Sequence, residues 1–143
     1  MEDFRHERHS VSKLVVHLVC VTQYRRKVLD AAALDWLDRH ARQVFAKMDC
    51  KLLASDGEAG HLHIVVEYPP KLSVSVLVNA FKGTSSRVLR RLRPDIARRY
   101  RNGVLWSPAY FAASAGGAPL AIIKQYVETQ RGFLPVLKDG ASA

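Results

Sequence analysis

The chain has 143 residues, 48% of them hydrophobic, which suits a single domain with a buried core. No stretch approaches the roughly 20 apolar residues that cross a bilayer, and the first residues lack the apolar region of a secretory signal, so we expect a cytoplasmic protein without membrane contact. The 22 Lys and Arg residues outnumber the 13 Asp and Glu residues, and the net charge of +9 favours a polyanionic partner. Cys20 and Cys50 are too few for a disulfide framework, and their apolar neighbours predict small buried residues rather than nucleophiles.

The first third of the chain predicts one strand followed by one helix. Residues 1–12 are polar and predict a flexible N-terminal segment. Residues 14–22 are rich in Val and Leu and predict a strand, which a basic loop at 24–27 follows. Apolar residues recur at helical spacing over 31–48, with Asp30 as a cap before the first turn.

The middle of the chain predicts a β-hairpin. Residues 51–55 read as a short strand, 56–60 as a turn, and 61–68 as a second strand paired to the first. Pro69 and Pro70 end the second strand because proline cannot continue the hydrogen-bond ladder.

The remainder predicts a helix, a strand and a last helix. Ser73 begins a second amphipathic helix, and Pro94 ends it. Residues 106–115 read as a loop that feeds a last strand. A third helix then runs from Pro119 to about Arg131.

This order of elements predicts an α+β protein with a ferredoxin-like fold, the split βαβ arrangement. Two helices would cover one face of an antiparallel sheet, and the third helix would be an addition at the C-terminal end. We expect a single domain over 13–133 and a C-terminal tail over 134–143.

Two histidines in the second hairpin strand form the first candidate site. Alternate residues of a strand share a face, so the apolar Leu62 and Ile64 would turn His61 and His63 away from the core. Two neutral imidazoles can hold one cation and leave coordination positions for a phosphate oxygen.

The third predicted helix offers the complementary groups. Tyr126 and Gln130 are four residues apart and therefore neighbours on one helix surface. The carboxamide oxygen of Gln130 is a hard ligand suited to Mg²⁺ or Mn²⁺, and the Tyr126 phenol could attack a phosphorus atom that the metal polarises.

Each of these features also has an ordinary structural explanation. A His-x-His pair is commonly packed or solvated, and a helical tyrosine commonly lies at the rim of a core. The other four histidines are interpreted as packed or solvated: His6, His9, His17 and His40. An arginine-rich segment at 87–101 is either a nucleic-acid surface or a solvated helix face.

Six stretches in this order resemble the one-tyrosine HUH transposases, small enzymes of bacterial and archaeal insertion sequences that move as single-stranded DNA. They are HLVCVTQYRRKVL at 17–29, HLH at 61–63, PPKLSVS at 69–75, FKGTSSR at 81–87, LWSPAYF at 105–111 and IKQYVETQ at 123–130.

The resemblance implies a specific chemistry. His61, His63 and Gln130 would hold a divalent cation, Mg²⁺ or Mn²⁺, and Tyr126 would form a 5′-phosphotyrosine link with cleaved DNA. The 3′-hydroxyl released at the same step could later rejoin another DNA end. One departure from the family is Gly60, which stands where many relatives have an aspartate; Glu58 is a possible substitute.

The resemblance also implies partners. The family forms dimers in which the tyrosine helix can pack against the other subunit's histidines, and it binds hairpins in single-stranded DNA near the ends of the element. Candidate DNA contacts in this chain are Lys82, Arg87, Arg90 and Arg91.

Two other functions fit the same residues. The first is a non-catalytic nucleic-acid-binding module, since RNA-recognition domains share the sheet topology. The second is a domesticated or replication-type nickase that uses the same chemistry without mobility.

Overall fold

A computed structural model of the protein describes residues 4–114. Its strands are β1 (Arg5–Glu7), β2 (Ser10–Ser12), β3 (Val15–Thr22), β4 (Lys51–Glu58), β5 (His61–Glu67) and β6 (Trp106–Ser114). Its helices are α1 (Ala31–Lys47), α2 (Val74–Leu92) and the single turn α3 (Pro94–Ala97), with a 3₁₀ turn at Gln23–Arg25.

Four of the strands form one antiparallel sheet in the order β4-β5-β3-β6. The two strands that flank α1 in the chain, β3 and β4, are separated in the sheet by β5, as the split βαβ arrangement requires. The predicted α+β, ferredoxin-like fold is therefore confirmed. The predicted third helix and the tail at 134–143 lie outside the described residues.

Local capping explains where the two long helices begin. The Asp30 carboxylate accepts the amide hydrogen of Ala33 at 2.9 Å, and the Ser73 hydroxyl accepts that of Val76 at 3.2 Å. Each cap satisfies a backbone donor that has no partner within the first turn of its helix. Both helices therefore begin at the residues predicted from the sequence.

The main core lies between these helices and one face of the sheet. Phe45 of α1 and Phe81 of α2 are fully buried there, with ring centroids 6.1 Å apart. The sheet contributes the apolar side chains of alternate residues: Val16, Leu18, Cys20, Leu62, Ile64 and Val66.

Two element boundaries differ from the prediction. β4 continues to Glu58, so the predicted turn over 56–60 contracts to Ala59 and Gly60. Residues 56–58 are held as strand because each pairs with a residue of β5, a non-local contact that composition cannot reveal. The predicted loop at the start of 106–115 is already β6, and Pro108 is tolerated there because β6 is an edge strand.

The described part of the N-terminal segment contains two short strands that the sequence did not predict. Within it, β1 and β2 form an antiparallel hairpin. The Arg5 guanidinium donates two hydrogen bonds to the Glu67 carboxylate, at 2.7 and 2.8 Å, and this pair ties the hairpin to the end of β5. The polar composition of residues 1–12 did not predict these strands, because the ion pair that anchors them joins residues far apart in the chain.

None of the helices within residues 4–114 is long and apolar enough to span a membrane.

Candidate functional site

His61 and His63 lie side by side on β5. Their rings are stacked, with centroids 4.8 Å apart and planes inclined by 27°. The intervening Leu62 is buried in the main core on the opposite face. The strand alternation predicted from the sequence is present, and it brings the two imidazoles within reach of a common ligand.

The two histidines differ in exposure. His63 is half-buried, whereas His61 retains only 7% of its accessible surface. His61 pairs across the sheet with the buried Val21. The last residue of β3, Thr22, donates its N–H to the Gly60 carbonyl oxygen in the turn that precedes His61, at 3.0 Å. His61 is therefore largely shielded from solvent on the face that it shares with His63.

A third imidazole lies beside the pair. His17 of β3 is buried, and its ring meets the His63 ring edge-on at 5.6 Å. The sequence left His17 as either packed or solvated; the structure shows it packed, beside a neighbour that the sequence did not predict. The available signal was that His17, Val19 and Val21 alternate on one face of β3, but using it required the β3–β5 register.

Two carboxylates face the histidines from β4. In the antiparallel register Glu58 is directly opposite His61, and Asp56 is directly opposite His63. Directly opposed residues project to the same face, with Cβ atoms about 5 Å apart. Position 60, where the family resemblance implies an aspartate, is a glycine in this chain. A carboxylate is nevertheless present opposite His61, on the neighbouring strand, at Glu58.

The donor set fits the predicted metal in part. Within residues 4–114, no group of three His, Cys, Asp or Glu side chains is arranged to hold a metal ion. His61 and His63, two of the three predicted ligands, lie side by side. The third, Gln130, and the predicted nucleophile, Tyr126, lie outside the described residues.

The four candidate DNA contacts lie along α2 in different surroundings. Arg87 and Arg91 are exposed, whereas Arg90 donates from Nε to the Ser86 hydroxyl at 3.2 Å. The Lys82 ammonium donates to the Ser107 carbonyl oxygen at 2.6 Å, and burial lowers its pKa. Lys82 thus holds the start of β6 in place. If Lys82 also contacts DNA, it does so in addition to this structural role.

Other reactive side chains have structural positions. His40 stacks on Trp36 at 4.6 Å and lies 2.8 Å from the Thr84 hydroxyl, and burial lowers the pKa of His40. Burial raises the pKa of Cys20 to about 12 and that of Cys50 to about 11. Both thiols stay protonated at neutral pH, as expected of residues that are not nucleophiles.

The sequence matches a known protein family over most of its length. Residues 10–130 match the family described as "Transposase IS200 like". The transposase of insertion sequence element IS200 from Salmonella typhimurium is 28% identical over 130 residues, which cover 91% of this chain and 85% of the relative. The corresponding Salmonella typhi transposase has the same identity and coverage.

Solved structures resemble the fold. A candidate transposase from Deinococcus radiodurans R1 matches with a TM-score of 0.74 and 28% identity, covering 88% of this chain and 97% of that one. A REP-associated tyrosine transposase bound to a REP hairpin matches with a TM-score of 0.56 and 13% identity, covering 87% and 67% respectively, which supports the fold alone. With the family match extending through the histidine strand, the chain belongs to the IS200-like family of insertion-sequence transposases.

Proposed function

We propose that this transposase cleaves and rejoins single-stranded DNA through a metal-dependent 5′-phosphotyrosine intermediate, with Tyr126 as the nucleophile. The observation that carries the proposal is the stacked His61–His63 pair on one face of β5, in a chain whose family match extends to residue 130. His61, His63 and Gln130 would hold Mg²⁺ or Mn²⁺. When bound, such an ion offsets charge on the phosphate during attack.

The reaction exchanges one phosphodiester for another. The Tyr126 oxygen forms a bond to the scissile phosphorus while the bond from phosphorus to the 3′-oxygen breaks. The phenol gives up its proton, and the departing 3′-oxygen takes one to become a hydroxyl. Because the bond to tyrosine conserves the energy of the broken bond, the 3′-hydroxyl of another end can reverse the step and join the strands without ATP.

The basic surface would bind the DNA. We assign hairpin binding to the exposed cations of α2, with Arg87 and Arg91 making phosphate contacts and Lys82 and Arg90 in supporting positions. The homodimer and the cytoplasmic location belong to the same proposal. The REP hairpin in the structural relative is consistent with such a DNA partner.

The decisive experiment looks for a covalent protein–DNA product. The full chain is incubated with 5′- and 3′-labelled single-stranded element ends and Mn²⁺, and products are separated under denaturing conditions. The proposal predicts that the label downstream of the cut migrates with the protein, and that Tyr126→Phe abolishes this adduct while hairpin binding persists.

His63→Ala and the exposed-surface variant Arg39→Ser provide the comparison. His63→Ala should remove the adduct, whereas Arg39→Ser, on the outer side of α1, should retain it. An adduct that survives in Tyr126→Phe, or one that forms equally well in EDTA, contradicts the proposed chemistry.

A further inference from the structure

The basic loop after β3 is fixed against the turn that precedes His61. Besides the Thr22 backbone contact, the Thr22 hydroxyl lies 2.7 Å from the Arg26 carbonyl oxygen and 3.1 Å from the Gly60 carbonyl oxygen. On the other side of the loop, Leu29 N–H donates to the Ala59 carbonyl at 3.0 Å. A Cβ at position 60 would lie 3.4 Å from the Arg25 carbonyl oxygen, so the loop and the turn are in direct contact. A ligand bound to this loop would therefore have a fixed position relative to His61 and His63.

The loop exposes the aromatic side chain of Tyr24 to solvent, although the backbone there is strained. Tyr24 and Arg25 both have left-handed backbones, with φ of 60° and 54°, which non-glycine residues adopt rarely and with strain. Tyr24 as a whole nevertheless stays 57% exposed, so core packing does not compensate for the strain. Strained residues of this kind are concentrated at ligand sites.

A neighbouring arginine orients this ring. The Arg26 guanidinium lies 5.0 Å from the centroid of Tyr24 and 5.2 Å from that of the buried Tyr100. Arg26 also donates to the Arg99 carbonyl oxygen. Arg26 is thus a positioning residue, because its cation links the exposed ring to the segment after α3.

The segment after α3 adds a positive charge, Arg99, beside the loop. Lys27 and Arg99 are both exposed and line one cavity of about 410 Å³, whose lining includes Ala59 of the β4–β5 turn. Asp30 and Asp95 also line the cavity, but both carboxylates pair with Arg93, at 2.7 and 2.9 Å. The carboxylates in the cavity thus pair with Arg93 and not with Lys27 or Arg99. The positive charges of Lys27 and Arg99 suit phosphate groups.

We propose that this surface, formed by Tyr24, Lys27 and Arg99, binds the unpaired DNA strand that leads to the cleavage site. The Tyr24 ring stacks on one base, and the two cations contact the neighbouring phosphates, which is how sequence-tolerant single-strand sites are built. The inference rests on the proposed function for the identity of the ligand, and it adds an element that positions the strand relative to His61.

The test measures binding without cleavage. Fluorescence anisotropy of a labelled oligothymidylate of about 20 nucleotides is recorded with the full chain in EDTA. Tyr24→Gly should weaken binding about 5- to 150-fold, and Tyr24→Phe should bind like the wild type because it keeps the stacking face. Glycine tolerates the left-handed backbone, so Tyr24→Gly should keep the wild-type melting temperature.

The cations are tested by the salt dependence of the same binding. Lys27→Ser/Arg99→Ser should make the slope of log affinity against log salt shallower by about 1.4, that is about 0.7 for each phosphate contact. The matched control is Arg39→Ser/Arg42→Ser on the exposed side of α1, which removes the same charge and should leave the slope unchanged.

Three outcomes overturn the inference. They are wild-type affinity in Tyr24→Gly, an equal loss on a blunt duplex whose bases cannot stack on the ring, and equal slopes for the two double variants. These outcomes are separate from those of the adduct experiment. An adduct that forms through Tyr126 while Tyr24→Gly binds normally refutes this surface alone, whereas loop-dependent binding without any adduct refutes the cleavage chemistry alone.

Discussion

Glu58 occupies the position from which a carboxylate could orient His61. Many relatives are expected to carry an aspartate one residue before the first histidine, and this chain has Gly60 there. The β4–β5 register instead places Glu58 directly across from His61, on the same face of the sheet. A carboxylate that accepts a hydrogen bond from a ligating imidazole fixes its tautomer and increases its basicity.

Glu58→Gln should therefore weaken metal binding. We expect the affinity for Mn²⁺, measured by calorimetry on the full chain, to fall by about 10-fold or more, because partners that orient metal ligands are typically worth that much. Asp35→Asn on α1 removes the same charge far from the site and should bind Mn²⁺ normally. Equal affinities for the two variants would mean that Glu58 does not support His61.

At the scale of elements, Asp30 both begins α1 and connects it to the segment after α2. Its carboxylate caps the Ala33 amide and also accepts two hydrogen bonds from Arg93, at 2.7 and 2.9 Å. The Arg93 guanidinium, followed by the Ala33 amide, lowers the pKa of Asp30 to about 2. A lowered pKa means that the stabilisation is complete above the ordinary value of about 3.9 and disappears as pH falls towards 2.

Asp30→Asn separates the cap from the charge. Asparagine can still accept the Ala33 amide hydrogen but cannot pair ionically with Arg93, so its cost at pH 6 should be below about 1 kcal/mol for this half-exposed pair. Asp30→Ala loses both interactions and should cost about 1 kcal/mol more. In urea unfolding, the difference between wild type and Asp30→Asn should shrink between pH 4 and pH 2; a constant difference contradicts the assignment.

The nearly buried Arg5–Glu67 ion pair anchors the N-terminal hairpin, and Arg5 also donates to the exposed Asp49 carboxylate at 3.1 Å. The side chains of Arg5 and Glu67 retain 12% and 9% of their accessible surface, and Glu67 holds the Arg5 pKa above its usual value. Arg5→Ala would leave the Glu67 carboxylate with little solvent and without this partner, at an expected cost of about 3–5 kcal/mol in urea unfolding. Arg5→Met/Glu67→Met should cost much less, because no buried charge remains. A double variant as unstable as Arg5→Ala would show that packing, rather than charge, anchors the hairpin.

The elements that sequence predicts well are those set by local contacts. The two long helices could be placed because apolar periodicity and the caps Asp30 and Ser73 lie within each segment. The end of β4 and the β1–β2 hairpin could not, since pairing with β5 and the Arg5–Glu67 bond join residues distant in the chain. The same limit hid His17, whose proximity to His63 depends on strand register.

At the scale of the molecule, the catalytic assignment depends on how Tyr126 reaches the histidines. Strand alternation alone placed His61 and His63 together, but it carries no information about Tyr126, which lies 63 residues after His63 in the chain. Ser114 ends the described residues, and the 12 residues from there to Tyr126 can span up to about 40 Å when extended. The chain length therefore permits Tyr126 to act in its own subunit or in a partner.

Mixing two inactive variants distinguishes these arrangements. If, as the family resemblance implies, the tyrosine helix packs against the histidines of the other subunit, His63→Ala and Tyr126→Phe should complement one another. After random subunit exchange in an equimolar mixture, half of the dimers contain one subunit of each variant. Each of these mixed dimers has one site that combines intact histidines with an intact tyrosine. The adduct yield should then reach about a quarter of the wild-type value for a symmetric dimer. Each variant alone should give none, and a mixture that remains inactive after confirmed subunit exchange would place Tyr126 in its own subunit's site.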